Sequence, residues 1–549
     1  MSDTGTSSDE RSAKKWVGQA VPRKEDQALL TGQARFIDDL EPVAGLRHAA
    51  ILRSPYAHAK ILNIDIAGAE VLPGVTGVVT GADVAESTSP IPSVVRTPMI
   101  CYPIAVDRAR YVGEPVAVVV AEDRYAAEDA LELINVTYEE LPVTADPERA
   151  LDPEGTPLHD EIGSNVANRR RLVSGDPDKA FDNAAHVVEL DYRFPKYGST
   201  PIETFGIIAH FESAPDRYTA WSNFQGPFVL QPLMSMALGV PGNRLRLITP
   251  PASGGSFGVK QGVFPYIVLL CAVSKKLGVP VKWIEDRLEH LMASTSANDR
   301  LGSAKAAFDD NGEMTGLRFK HVCNLGAYIR APEPASVYRM QATSNGCYRV
   351  KNIDTEIVLV TTNQMPTGLN RGFGGPQFYF ALERIMDLAA KELNIDPAEL
   401  RRRNFVKRDE FPYDCPGGSI LDSGDFEKGI DETLRLAGYE ELLRKRDKAR
   451  AEGRHFGIGF ACGVEPSGSN MGYVSLAQTA EERAGSEPKS GGNTSASISM
   501  DPTGAVTVHL CSTPNGQGHA TVASQIVADA LGIDISKIDV VTEIDTLTS

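Results

Sequence analysis

The sequence lacks every common cysteine and histidine motif for holding a metal. Its seven cysteines form no C-x-x-C pair and have neither ferredoxin nor zinc-site spacing, and its ten histidines include no H-E-x-x-H pair. Most of the cysteines lie in apolar runs, which is typical of buried thiols. We therefore expect neither an iron–sulfur cluster nor a structural zinc ion in this chain.

The sequence also lacks long apolar runs and an excess of positive charge. No apolar run approaches the roughly 18 residues that cross a bilayer. The longest, residues 263–273, contains Pro265 and predicts a core helix. The formal net charge of −17 disfavours a nucleic-acid partner, and the short arginine runs at 169–171 and 401–403 favour solvated faces. We expect no nucleic-acid partner and no membrane span.

Composition and local patterns predict a multidomain protein of mixed α+β and α/β class. The 549 residues are enough for three or four domains of about 150 residues each. The polar residues 1–20 have no apolar signal-peptide core, and they predict a disordered tail and a cytoplasmic location. Residues 21–145 alternate short strands and helices and predict a self-contained α+β domain. The further divisions are a Pro-, Gly- and Asp-rich linker at 146–175, a larger α/β domain at 176–410, a connecting segment at 411–455 and a new domain from 456 onward.

An internal repeat relates two distant parts of the chain. Residues 218–249 and 506–542 each predict a strand, a Gln-Gly turn, a helix ending in Ala-Leu-Gly, a short connection and a strand. Gln225-Gly226 in the first unit matches Gln517-Gly518 in the second. Such units also arise by chance. If the repeat is real, two related domains each present a glutamine at the start of a helix, and a ligand between them is held from both sides.

Three Gly-rich turns precede predicted helices: GGSFGVK at 254–260, RGFGGPQ at 371–377 and NGQGH at 515–519. Glycine lets a backbone approach a ligand closely, and amides at a helix N-terminus bind oxyanions. None of the turns is a G-x-G-x-x-G or Walker motif, and each alone is as well explained by a structural turn or a surface arginine. Together they offer backbone amides, two Gln amides and one Arg but no metal ligand. This combination favours a large anionic cofactor that carries its own metal.

These motifs, in this order, resemble the large, molybdopterin-binding subunit of the xanthine dehydrogenase, aldehyde oxidase and carbon monoxide dehydrogenase family. TGQARFIDDL, LRSPYAHA and YVGEPVAVVVAEDRYAAEDALELI are similar to the family's N-terminal hammerhead domain. GGSFGVK resembles its G-G-x-F-G-x-K loop, and RGFGGPQ and GQGH resemble two further cofactor loops. The resemblance implies a hammerhead-like domain at 21–145, a first molybdopterin-binding domain at 176–410 and the N-terminal part of a second at 456–549.

The resemblance implies a set of cofactor-binding residues at these turns. The set comprises Gln225, Gly255, Phe257, Gly258, Arg371, Gly516, Gln517 and Gly518. Gln225 matches a Gln that hydrogen-bonds an oxo ligand of molybdenum, and Gln517 matches a residue at the phosphate side of the dithiolene cofactor. Phe257 and Arg371 are expected near the metal, which the cofactor itself ligates.

Three further positions bear on the substrate. Arg339 matches a substrate-orienting Arg, and Phe373 matches an aromatic residue that sandwiches the substrate. Gln261 stands where purine hydroxylases have a Glu, which weakens the case for xanthine. The RGFGG loop also lacks the cysteine with which the carbon monoxide enzymes hold copper, so a hydroxylase is favoured.

The resemblance implies an oxidoreductase that hydroxylates an aldehyde or an aromatic N-heterocycle with oxygen from water. Its implied cofactor is molybdopterin with molybdenum, in the simple or the cytosine dinucleotide form. Iron–sulfur clusters of the [2Fe-2S] type and FAD are implied on an iron–sulfur subunit and a FAD subunit, because this chain has no cluster cysteines.

One departure from the family concerns the catalytic base. The family's general-base Glu lies in a G-V-G-E motif that this sequence does not contain. GVEP at 463–466 resembles that motif only superficially, because it lies at the beginning of a predicted domain and not at the end of one. We therefore expect the base beyond Ser549, either on a missing part of this subunit or on a second molybdopterin-binding chain. The alternative is a non-catalytic fragment or scaffold half-subunit.

Overall fold

The computed structural model describes residues 15–466, 472–485 and 494–548 as a mixed α+β structure. The strands are β1 (Arg47–Arg53), β2 (Ala59–Asp65), β3 (Val75–Thr80), β4 (Arg108–Ala109), β5 (Pro115–Ala121), β6 (Asn135–Glu140), β7 (Val166–Ser174), β8 (His186–Phe194), β9 (Gly206–Glu212), β10 (Arg217–Ser222), β11 (Leu245–Ile248), β12 (Val281–Ile284), β13 (Arg300–Phe308), β14 (Met314–Asn324), β15 (Asn352–Val360), β16 (Tyr413–Asp414), β17 (Ile420–Leu421), β18 (Ala496–Met500), β19 (Val506–Leu510) and β20 (Ile538–Val541). The α-helices are α1 (Asp26–Leu30), α2 (Ala67–Glu70), α3 (Gly81–Ser87), α4 (Arg124–Leu131), α5 (Pro177–Asp182), α6 (Pro227–Ala237), α7 (Phe264–Leu277), α8 (Arg287–Ala293), α9 (Ala335–Tyr338), α10 (Gly375–Glu392), α11 (Pro397–Asn404), α12 (Phe426–Ala437), α13 (Tyr439–Ala451), α14 (Ala480–Ala484) and α15 (His519–Leu531).

The largest sheet joins strands that the sequence patterns assign to different domains. Its seven strands run in the order β11-β10-β9-β12-β1-β5-β3, with β1 parallel to β12 and antiparallel to β5. Side chains of β1, β5, β9 and the buried helix α7 share one hydrophobic core. The prediction that residues 21–145 are self-contained is therefore wrong. An alternating pattern identifies a strand and its buried face, but it does not identify the strand's partner.

The stretch predicted as a linker, residues 146–175, contains strand β7. This strand pairs with β15 at the edge of a second sheet, whose order is β7-β15-β14-β13-β8. Arg169 and Arg171 are more than half exposed there and form ion pairs with Glu356 and Asp354. These two arginines lie on a solvated face as predicted. The linker prediction is wrong for residues 166–174, because turn-forming residues on either side concealed an edge strand.

The second arginine run, on α11, is only partly solvated. Arg401 is fully buried and pairs with Glu383 and Asp387 of α10 at 2.8 and 2.9 Å. A buried guanidinium requires such partners, because burial without them leaves a desolvated charge. The solvated-face prediction is therefore wrong for Arg401. Arg402 and Arg403 remain about one-third exposed.

The two units of the internal repeat have the same order of elements. They are β10–α6–β11 and β19–α15–β20, and in each the two strands pair in parallel. A 3-10 turn leads into the second strand of both units, at Gly242–Arg244 and at Ile535–Lys537. Each helix follows a glycine in the left-handed region, Gly226 at φ 73° and Gly518 at φ 76°. The repeat predicted from the sequence is thus present in the structure.

Residues near the end of the second unit are fastened to the first. Arg246 of β11 forms an ion pair with Asp545 at 2.5 Å, and Ile248 bridges Asp545 through the backbone. The backbone N–H of Thr546 donates to the carbonyl of Leu247 at 3.0 Å. These contacts hold the small sheet β18-β19-β20 against the edge of the largest sheet.

Part of the predicted N-terminal tail contacts α15. The backbone N–H of Trp16 donates to Asp529 at 2.7 Å, and the Gln525 amide donates to the carbonyl of Trp16 at 2.7 Å. Trp16 also packs against the core beneath α15. The tail prediction is therefore wrong from residue 15 onward, and residues 1–14 lie outside the described residues.

Helix α7 and the cysteines behave as the apolar patterns predict. Every residue of α7 from Phe264 to Ser274 is buried. The seven cysteines are free thiols, and five of them are buried. None of the helices in the described ranges combines the length and apolar character that crossing a bilayer requires.

Candidate functional site

Four loops that each precede a helix meet at one cavity of about 770 Å³. They are the loops before α6, α7, α10 and α15, joined by residues after α9 and by residues 465–466. The lining residues are Gln225, Val229, Ser256, Phe257, Gly258, Gln261, Pro332, Arg339, Leu369, Asn370, Arg371, Gly372, Phe373, Glu465, Pro466, Tyr473, Asn515 and Gln517. The cavity thus lies between the two repeat units, with Gln225 contributed by one unit and Gln517 by the other.

Most residues singled out in the sequence line this cavity, and three glycines do not. Gln225, Phe257, Gly258, Gln261, Arg339, Arg371, Phe373 and Gln517 are lining residues. Gly255, Gly516 and Gly518 are instead in the adjoining turns, each with a positive φ. Sequence reasoning missed Ser256, Asn370, Asn515, Tyr473 and Glu465. Ser256 and Asn515 lie within two of the predicted turns, Asn370 directly precedes the third, and Glu465 belongs to the GVEP stretch.

Gln225 is held in place by the loop that follows β11. The Ser256 hydroxyl donates to Oε1 of Gln225, and the backbone N–H of Gln225 donates to the carbonyl of Lys260 at 3.3 Å. Among the described residues, Nε2 of Gln225 has no hydrogen-bond acceptor. One face of this amide is therefore fixed by the protein, and its N–H donors are available to a ligand.

A buried ion pair anchors the GGSFG loop. Lys260 is fully buried and pairs with Glu203, and its Nζ also donates to Oγ of Ser253 at 3.0 Å. Glu203 accepts a further hydrogen bond from the backbone N–H of Gly254 at 2.8 Å. Burial lowers the pKa of Lys260 below its ordinary value, although the Glu203 carboxylate opposes that change. The ion pair thus fixes the loop backbone, and neither Lys260 nor Glu203 lines the cavity.

Two phenylalanines of the cavity wall have backbone conformations that residues with side chains rarely adopt. Phe257 has φ 53° and Phe373 has φ 39°. The loops that carry them hold each other, since the backbone N–H of Arg371 donates to the carbonyl of Phe257 at 2.8 Å. Conformations of this kind cluster at ligand-binding sites, where surrounding contacts enforce them. The strain therefore supports a role for both rings in contacting a ligand.

Several polar atoms of the cavity wall have no partner within the described chain. They include Nδ2 of Asn370, Oε1 of Gln261 and Oδ1 of Asn515. Leaving a buried polar atom unsatisfied costs about 1–3 kcal/mol, so a ligand that bonds these atoms would remove that cost. The exposed Arg371 guanidinium also has no carboxylate partner among the described residues. Of these atoms, Nδ2 of Asn370 is a donor and, together with the guanidinium, suits an anionic ligand. The two amide oxygens are acceptors and suit N–H or O–H groups of a ligand.

A metal bound by protein side chains has no corresponding site in the described ranges. No three His, Cys, Asp or Glu side chains in those ranges are arranged to hold a metal ion. The donors at the cavity fit a molybdopterin better than a bare metal ion, because they are amides and a guanidinium placed around a large space.

Arg339 and Glu465 form an ion pair in the cavity wall. Nη2 of Arg339 donates to Glu465 at 2.5 Å and to the carbonyl of Pro466 at 2.5 Å, and Nη1 donates to the carbonyl of Gly372 at 3.3 Å. The guanidinium carbon lies 5.7 Å from the centre of the Phe373 ring. The Arg339 side chain is 10% exposed and that of Glu465 is 60% exposed. The arginine expected to orient a substrate thus already has a carboxylate partner.

The N-terminus of α15 is capped by a carboxylate from the start of the chain. Glu25 accepts from the backbone N–H of Ala520 at 2.9 Å and from the Thr521 hydroxyl at 2.6 Å. Burial by itself would raise the pKa of Glu25, but these hydrogen bonds outweigh it and the pKa lies below its ordinary value. The backbone amide of Ala520 is thus occupied by a carboxylate of the chain itself. The preceding turn contributes the side chain of Gln517 to the cavity.

Three domain profiles match the chain. A molybdopterin cofactor-binding domain matches residues 158–405. An aldehyde oxidase and xanthine dehydrogenase a/b hammerhead domain matches residues 31–142. A second molybdopterin cofactor-binding domain matches residues 432–549.

Named relatives and solved structures agree with these matches. The chain is 36% identical over 532 residues to the nicotine 6-hydroxylase large subunit of Paenarthrobacter nicotinovorans, covering 95% of this chain and 63% of the relative. It is 30% identical over 557 residues to the carbon monoxide dehydrogenase large chain of Hydrogenophaga pseudoflava, covering 96% of this chain and 66% of the relative. The crystal structure of quinoline 2-oxidoreductase from Pseudomonas putida 86 matches with a TM-score of 0.88 at 34% identity, over 96% of this chain and 67% of that chain. The chain thus spans just under two thirds of the length of these two curated relatives.

Proposed function

Because the chain belongs to the family of molybdopterin-binding large subunits of xanthine dehydrogenase, aldehyde oxidase and carbon monoxide dehydrogenase, we propose that its cavity holds a molybdenum-bearing molybdopterin and serves a hydroxylase. The observation that carries the proposal is that Gln225 and Gln517, from the two repeat units, line one cavity. A large ligand seated between them would be contacted by both units.

The residues that would hold the cofactor are the donors of the cavity wall. Gln225 would donate through Nε2, Arg371 would balance negative charge, and Gln517 would bind from the opposite side. When bound, the cofactor would supply a molybdenum centre for two-electron oxidation with water as the oxygen source. Phe257 and Phe373 would form apolar walls that exclude bulk water and orient a flat substrate.

We favour an aromatic N-heterocycle as the substrate, with an aldehyde as the second class. Two relatives, nicotine 6-hydroxylase and quinoline 2-oxidoreductase, are named for N-heterocyclic substrates. The aromatic rings of Phe257, Phe373 and Tyr473 in the cavity wall suit stacking on such a substrate. The side-chain amide of Gln261 lies in the same wall, and its N–H would donate a hydrogen bond to the ring nitrogen, which carries a lone pair and no hydrogen. The RGFGG loop has no cysteine to hold copper, which disfavours carbon monoxide as the substrate.

Electrons released by such an oxidation would need redox groups to accept them, and this sequence has no cysteines with iron–sulfur spacing. We propose an iron–sulfur subunit with [2Fe-2S] clusters and a FAD subunit as partners. The names of the relatives support an assembly, since they include a large subunit and a subunit gamma of a dehydrogenase complex. The cytosine dinucleotide form of the cofactor and a cytoplasmic location stay predictions.

The proposal is tested on the chain purified together with its partner subunits. We expect bound molybdenum and transfer of ¹⁸O from labelled water into hydroxylated quinoline. Gln225→Ala should lower kcat on the order of 100-fold while molybdenum content is retained, because it removes a donor at the reacting centre. Gln33→Ala, at an exposed residue outside the cavity, is the matched control. A metal-free complex with intact partners, or full turnover by metallated Gln225→Ala, would contradict the proposal.

A further inference from the structure

Among the described residues, three charged side chains line the cavity, and they are not equally available to a ligand. They are Arg339, Arg371 and Glu465. Arg371 is exposed and has no carboxylate partner within the described residues, so it can meet an anionic group. Arg339 is almost buried and is already paired with Glu465.

The pairing of Arg339 uses most of its hydrogen-bonding capacity. Nη2 contacts the Glu465 carboxylate and the carbonyl of Pro466, and Nη1 contacts the carbonyl of Gly372. The remaining face of the guanidinium lies near the Phe373 ring. A substrate carboxylate could bind this arginine only by displacing Glu465 or by lying beside it as a like charge, and like-charge contacts oppose binding.

We infer that Glu465 is a specificity-determining residue that masks Arg339 and makes the cavity select neutral over anionic aromatic substrates. The inference rests on the proposed function, because it specifies the substrate class of the same site. The carboxylate is 60% exposed and contributes to the cavity wall, so it can repel an anion as well as occupy the arginine. Arg371 is left as the cation that meets an anionic cofactor.

The inference is tested with two pyridines of nearly equal shape and different charge, nicotinamide and nicotinate. Their dissociation constants are measured calorimetrically at pH 7.5 on the purified complex, so that the readout does not depend on turnover. We expect the wild-type complex to prefer nicotinamide. Glu465→Gln should tighten nicotinate binding about tenfold or more and change nicotinamide binding less than about twofold, because only the anion gains an accessible guanidinium.

Two further variants separate a local effect from a general change of charge. Glu481→Gln removes the same charge from an exposed position on α14 outside the cavity and should leave both dissociation constants unchanged. Adding Arg339→Gln to Glu465→Gln should abolish the gain in nicotinate binding.

The outcomes distinguish this inference from the proposed function. Equal nicotinate binding by the wild type and Glu465→Gln, an equal gain in Glu481→Gln, or binding of neither probe to either protein would overturn the inference. A charge preference that shifts as expected in a complex that carries no molybdenum and hydroxylates no N-heterocycle would support the role of Glu465 and refute the proposed function.

Discussion

The buried ion pair beneath the GGSFG loop gives a quantitative prediction. The Lys260 side chain is 0% exposed and that of Glu203 is 15% exposed. Removing one partner of a buried pair costs about 3–5 kcal/mol, because the other charge stays buried. Glu203 would keep its hydrogen bonds from Gly254 and Ser253. We therefore expect Lys260→Met to destabilise the loop by about 3 kcal/mol, the lower end of that range.

The effect is best measured locally, because a chain with several domains does not have to unfold in one step. Hydrogen–deuterium exchange of a peptide spanning residues 250–262 reports on the loop directly. A loss of about 3 kcal/mol corresponds to roughly 100-fold faster exchange when the amides exchange through local opening. Lys391→Met, at an exposed lysine in the last turn of α10, is the control and should exchange like the wild type.

A second variant tests whether the charge left behind causes the effect. In the double variant Lys260→Met with Glu203→Gln, no charge stays buried, so exchange should slow relative to Lys260→Met alone. The reasoning is refuted if Lys260→Met exchanges like Lys391→Met. It is also refuted if the double variant is as labile as the single one, because the ion pair would then not be what holds the loop.

Two further predictions concern the region behind Phe373. Burial raises the pKa of Glu333 to about 7, so the folded chain keeps a proton that the unfolded chain loses near the ordinary value of 4.5. The contribution of Glu333 to stability therefore falls as the pH rises between these values. Glu333→Gln should flatten that part of the curve of unfolding free energy against pH, measured by urea unfolding. An unchanged slope would contradict this prediction. Gly374→Ala would place a Cβ 1.8 Å from the carbonyl oxygen of Ser336 at φ 85°. This substitution should lower Tm much more than the control Gly418→Ala does, because Gly418 has φ 93° but open space around an added Cβ. Equal Tm values for the two variants would show that the loop moves aside without cost.

The sequence predicted the family, one core helix and two helix starts, because each of these depends on residues that are close together in the chain. The family assignment made from the ordered Gly-rich loops and the hammerhead-like stretches is confirmed by the matching domain profiles. The mixed α+β fold class is confirmed with it. A core helix over residues 263–273 and helix starts after Gly226 and Gly518 also follow from neighbouring residues alone.

Contacts between segments that are distant in the chain could not be predicted from neighbouring residues. The pairing of β1 with β12, the burial of Arg401 and the capping of α15 by Glu25 each depend on a partner far away in the chain. Glu465 is the clearest case for the site. Its GVEP stretch was visible in the sequence but was set aside because of its position in the chain, and folding brings it to Arg339.

The sequence by itself determined which turns can approach an anionic ligand, because glycine positions and helix starts are encoded within a few residues. Only the tertiary structure decided how those turns combine, by placing Gln225 and Gln517 around one cavity. It also decided that Arg339 meets a carboxylate, whereas Arg371 meets none within the part of the chain that the structure describes. The physical reason is that the charge available to a ligand depends on which groups pack together in space, and that packing is fixed by sheet pairing and core burial across the whole chain.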